Sequence, residues 1–174
     1  MGIFDRLFGS HEQLFHQANA AASILGIDAW AYHWKRLQAE PTNPSRWFHA
    51  MQSCGREHIG EVADFALHVL PLASIAQGPG KEMGMGPEYQ SHQCLDFVLQ
   101  GLQAYPGSGV QLIEAGLNSP VVSNRNGAVR VLATWGKSNW PQGIESMLAV
   151  AMVQEPDEKV RESIQKVIDG KKLD

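Results

Sequence analysis

The chain has 174 residues, 44% of them apolar, with 18 acidic against 14 basic side chains and a formal charge of −4. That length supports one domain with its own core, needing neither metal nor disulfides to fold. The acidic balance, with Lys171 and Lys172 as the sole local basic excess, argues against a nucleic-acid partner.

The longest apolar run, Val69 to Ala76, is interrupted by Pro71 and falls short of the roughly 18 residues that suggest a spanning helix, so no membrane span is expected. Cys54 and Cys94 show no Cys-x-x-Cys spacing, and no charged n-region precedes a long apolar core, which together fit a reducing cytoplasm. Arg6 stands where a myristoylation signal requires Ser or Thr.

Ile3, Phe4, Leu7 and Phe8 make a short amphipathic segment over 1–9, closed by Gly9. A helix is predicted from His11 to Leu25, with Ser10 as its cap and Gly26 as its stop. Asp28 can cap the next, which places Ile27, Trp30, Trp34 and Leu37 on one face and ends at Pro41. Asn43 followed by Pro44 reads as an N-cap with the favoured first helical residue, introducing a short helix over Arg46 to Cys54. After Gly55, the positions Ile59, Val62, Ala63, Ala66, Val69 and Leu70 mark another helix.

Residues 77–88 are Gly-, Pro- and Met-rich and can form neither helix nor strand. A connection of that length is expected to be functional or loosely ordered. Helix resumes from Tyr89 to Ala104, and Val110 to Leu117 pairs back across the turn at 105–109.

The end of the chain matches itself at an offset of 35 residues: Leu112 with Met147, Ile113 with Leu148, Gly116 with Ala151, Ala128 with Ser163, Val129 with Ile164 and Leu132 with Val167. Each unit reads as an apolar helix, a turn carrying Pro120 or Pro156, and a second helix capped by Ser123 or Asp157. One such pair cannot bury both of its apolar faces, so successive pairs must stack.

Asp157, then Val160-Arg161 and the helically spaced Ile164, Val167 and Ile168, resemble the HEAT-repeat superfamily, and Asn124-Arg125-Asn126 resembles a degenerate form of the same turn. The resemblance covers 108–170. It implies an all-α fold, a right-handed α-α superhelix of stacked antiparallel helix pairs filling a single domain over 1–174, and a tendency to bind other macromolecules.

No motif names a chemistry. The Gly loop lacks the third Gly of a dinucleotide fingerprint, where Met83 stands, and Glu82 follows Lys81 where a P-loop needs Ser or Thr. His11 and His16 are five apart and cannot share a zinc from one helix face. Tyr105 replaces the first Gly of a nucleophile elbow around Ser108. Neither a metal nor a cofactor is expected.

His92, flanked at four residues on either side by Glu88 and Asp96, is the histidine placed for chemistry, against the plainer reading of a partly buried or surface ring. Trp47, Trp135 and Trp140 lie near helix ends, where they either complete the core or face a groove. Arg125 and Arg161 stand near the starts of second helices, positioned for the carbonyls of a neighbouring pair.

Two functions follow. The first is a non-enzymatic interaction module, an adaptor, scaffold or immunity-type binder, with a protein partner and with His92, Arg125, Trp47, Trp135, Trp140, Met83 and Met85 as candidate binding residues. The second is an enzyme or small-molecule binder whose 77–88 loop closes as a lid over His92, Arg125 and nearby tryptophans.

Overall fold

The computed structural model describes residues 29–173. The predicted elements at 1–9 and 11–25, and Asp28 as a cap, lie outside them. Among the described residues the secondary structure is helical, save one isolated parallel bridge between Glu82 and Val121.

Helix α1, Trp30–Ala39, buries Trp30, His33 and Leu37. A two-residue turn leads to α2, Pro44–Ser53, whose N-cap Asn43 accepts from the Ser45 amide at 3.0 Å with Pro44 in the first turn. The cap falls where the sequence places it, and the helix starts at Pro44, two residues before Arg46. Helix α3, Ile59–Val69, follows, and Pro71 divides it from a single turn, α4, Leu72–Ile75.

After the Gly/Met loop, a 3-10 turn at Pro87–Tyr89 runs into α5, Gln90–Leu102. Helix α6, Val110–Leu117, and α7, Val122–Trp135, form the next pair. A second 3-10 turn, Lys137–Asn139, leads to α8, Ile144–Gln154, and α9, Glu158–Ile168. Asp157 caps α9 by accepting from the Lys159 and Val160 amides. Ser123 does not cap α7: that helix begins two residues earlier than such a cap requires, with Val121 as N-cap, and the Ser123 hydroxyl donates across to Asp96 on α5 at 2.8 Å.

The 35-residue correspondence has a structural counterpart. Ile113 and Leu148 are buried at like points of α6 and α8, with Leu112 buried and Met147 packed half-buried on the same core. Val129 with Ile164, and Leu132 with Val167, are buried at like points of α7 and α9. Each such side chain contributes on the order of 1.5–3 kcal/mol on leaving water.

Helix α2 packs on α5, α5 on α7 and α7 on α9, so these four form one continuous row. Helices α1, α6 and α8 lie against α2, α7 and α9 respectively, and α3 and α4 reach α6. One apolar cluster runs through all the pairs, from Trp30 and Leu37 to Ile164 and Val167. Gly101 lets α5 approach α2: a β-carbon there would sit 2.8 Å from Met51 Cβ and collide with Met51 Cε as well.

Candidate functional site

The Gly/Met loop is tied down along the α6–α7 turn. The Gly78 amide donates to Asn118 O at 2.8 Å, the Glu82 amide to Pro120 O at 3.1 Å, and the Val122 amide to Glu82 O at 3.0 Å. Gln93 Nε2 adds a bond to Gly84 O at 3.3 Å. Gly84 has φ +70°, and a β-carbon there would lie 2.6 Å from Val121 Cγ1, so glycine satisfies both the backbone and the close approach. Met83 and Met85 project from this strap into solvent, 70% and 73% exposed.

Arg125 anchors the same region from beneath. Its Nε and Nη2 donate to Glu155 Oε2 and Oε1 at 2.7 and 2.9 Å, a bidentate pair in which both side chains are about 1% exposed. Nη1 donates to Ser119 O at 2.8 Å and Nη2 also to Gly80 O at 2.6 Å. The expected carbonyl partners are present. The carboxylate, which no local pattern announces, takes the Nε and Nη2 side of the guanidinium. Arg161 donates to Glu155 O at 2.6 Å, within its own pair.

His92 enters a polar cluster that joins α5 to α7. Asn124 Nδ2 donates to His92 O at 2.9 Å and to Asp96 Oδ1 at 2.5 Å, which turns Asn124 Oδ1 toward His92 Nδ1 at 2.8 Å and Ser119 Oγ at 2.9 Å. An amide oxygen only accepts, so the neutral His92 ring carries its proton on Nδ1 and keeps its Nε2 lone pair. Ser119 spends its hydroxyl proton on Asn124, accepts from the Val121 amide at 3.1 Å and is fully buried. It is therefore not a nucleophile for His92 to activate. Burial pushes the Asp96 carboxyl up, against the lowering effect of the Ser123 and Asn124 donors. Glu88 is exposed at the loop end and takes no part in the cluster.

Trp47, Trp135 and Trp140 all pack with the core. Trp47 and Trp135 are core, 0% and 2% exposed, their indole N–H groups donating to Pro41 O at 2.7 Å and Leu102 O at 2.8 Å. Trp140 is half-buried, donates to Leu132 O at 2.8 Å and has Lys137 over its ring. Burial pushes the Cys54 and Cys94 thiols up to about 11 and about 12, so neither is a nucleophile near neutrality. Among the described residues no cluster of His, Cys, Asp or Glu could hold a metal ion.

A different feature gathers side chains from several helices. Three hollows follow the row of helices. The α2–α5 hollow, about 460 Å³, is walled by Phe48, Met51 and Phe97 with Gln52, Gln100 and Gln103. The α5–α7 hollow, about 370 Å³, carries Asp96, Gln100, Ser123 and Asn126. A third, about 120 Å³ and between α7 and α9, holds Asn126, Ser163 and Lys166 with Leu173 at its edge.

Arg130, on the exposed side of α7, lines all three hollows. It makes no hydrogen bond or ion pair among the described residues. The polar ones among these side chains, read singly in sequence, are ordinary solvated helix positions. Only the stacking of the helices gathers them.

The described residues thus form an all-helical fold in which pairs of helices lie side by side and one row of helices presents a grooved polar face. No protein-family model matches the chain, and neither a curated protein nor a solved structure is significantly similar to it.

Proposed function

We propose that the chain is a protein-interaction module, a HEAT-like right-handed stack of helix pairs whose binding face is the row α2, α5, α7 and α9. The observation that carries this reading is the run of three adjoining hollows sharing Arg130. The repeat correspondence supports the stack, because residues 35 apart fill like positions in successive pairs. A face spread over four helices offers many weak contact points, as recognition of a macromolecule requires, where a small ligand needs one enclosed cleft. The lid reading has less behind it, since backbone bonds hold the 77–88 loop to the α6–α7 turn and Arg125 is saturated by Glu155 and two carbonyls.

The test is to purify the tagged full chain from its native cells under gentle conditions and map amide exchange with and without the recovered partner. The expected result is a stoichiometric protein whose presence slows exchange in α5 and α7 around Gln100 and Arg130. Recovery of no such protein, or protection confined to helices outside the row, overturns the reading.

A further inference from the structure

Resting on the interaction reading above, we infer that the row of hollows takes an extended segment of the partner with a carboxylate side chain two residues from an aromatic or large aliphatic one. Charge supplies the first argument. The protein is acidic overall, yet the guanidinium shared by all three hollows has no anion of its own. Asp96, the carboxylate in the middle hollow, has one oxygen taken by Ser123 Oγ at 2.8 Å and the other by Asn124 Nδ2 at 2.5 Å. An incoming carboxylate would meet a planar cation that has no ion-pair partner among the described residues and is suited to bidentate contact.

Apolar surface supplies the second argument. Phe48 and Phe97 meet edge to face at 5.4 Å in the wall of the α2–α5 hollow, both only half-buried, with Met51 beside them. Arg130 borders this same hollow, so one ligand can reach ring and guanidinium together. In an extended chain, alternate side chains face one way about 6.5–7 Å apart, so an apolar residue at one position and Asp or Glu two further on would occupy both.

The amides supply the third. Gln52, Gln100 and Asn126 make no hydrogen bonds among the described residues, and each carries both a donor and an acceptor, as peptide backbone demands. With helix axes about 8–10 Å apart, three seams span roughly 27 Å, the length of about eight extended residues.

The experiment displays random nine-residue peptides against the immobilised full chain, then measures binding of the enriched peptides by fluorescence anisotropy. Enrichment of an aromatic or large aliphatic residue two positions from Asp or Glu is expected. Changing that acid to its amide, or Arg130→Glu in the protein, should weaken binding by roughly tenfold or more. Lys at the acidic position should recover part of the loss on the Arg130→Glu protein. Arg130 is exposed and unbonded, so an unchanged melting curve is expected to show that the variant is folded.

Enrichment of basic or purely apolar peptides, no enrichment, or preference for a single-stranded oligonucleotide over every peptide overturns the inference. The native partner separates this failure from failure of the broader reading. Retention on Arg130→Glu with loss on Gln100→Trp, which fills the two larger hollows, leaves the interaction face standing and removes only the acidic segment. Retention on both removes the face as well.

Discussion

Replacing Arg125 by Met removes the side chain on which the α6–α7 turn, the 77–88 loop and the α8–α9 turn converge. The buried carboxylate of Glu155 would keep one hydrogen bond, from the Asp157 amide at 3.0 Å, and lose its bidentate cation. Gly80 O and Ser119 O would lose their side-chain donor in the same stroke. Breaking a buried pair from one side costs about 3–5 kcal/mol, chiefly because a charge is left uncompensated. That is a large share of the roughly 5–15 kcal/mol that holds a domain folded.

Urea unfolding followed by far-ultraviolet dichroism measures the loss, and amide exchange at Gly78 and Glu82 reports whether the strap loosens with it. The double variant Arg125→Met, Glu155→Leu removes the stranded charge and should recover at least about half of the loss, giving a favourable coupling in a double-mutant cycle. A single variant that costs less than about 1 kcal/mol, or a double variant whose cost is the sum of the two singles, would refute the account of this pair as mutually compensating buried charges.

Burial raises the Asp96 carboxyl, so its folded-state value lies above its unfolded value. The stability it contributes is present below the unfolded carboxylate range near pH 4 and is lost as pH rises through the folded value. Asp96→Asn should therefore gain stability relative to the parent as pH rises from about 4 through the folded value, as followed in urea titrations from pH 4 upward; a pH-independent difference would contradict the burial argument. Two glycines give opposite expectations in thermal melts. Gly101→Ala forces the α2–α5 seam apart at Met51 and should cost about 1–3 kcal/mol, whereas Gly127→Ala meets Leu99 at ordinary contact distances, Cδ1 at 3.4 Å and Cβ at 3.5 Å, and should gain about 0.5–1 kcal/mol from reduced backbone freedom.

What the sequence revealed was local. Asn43 with Pro44 and Asp157 before α9 announce helix starts because a cap needs only its own next few amides. The 35-residue correspondence exposes the helix pairs because burial repeats with them. Ser123 was misread as a cap because its hydroxyl has a better acceptor in Asp96, 27 residues away, which no local pattern announces. Glu155 is likewise 30 residues from Arg125, and nothing in either neighbourhood links them. Trp47 and Trp135 sit near helix ends, as expected, but those ends turn inward. The grooved face was illegible for a further reason. Phe97, Gln100 and Arg130 acquire a common neighbourhood only through helix stacking, and singly Phe97 looks like core while Gln100 and Arg130 look like residues that water alone attends.

The strap at 77–88 also bears on how the polypeptide could be rearranged. Its Met83 and Met85 side chains stand in solvent, while the backbone is fastened at Gly78 and Glu82 before them and, through Gln93, at Gly84 between them and at Gly86 after them. A break near Met83 and Met85 would separate two lengths of chain that the interior still clasps on both sides, Arg125 reaching one of them at Gly80. Such a spot suits new chain ends or an inserted reporter, since cutting there severs connectivity without opening the core.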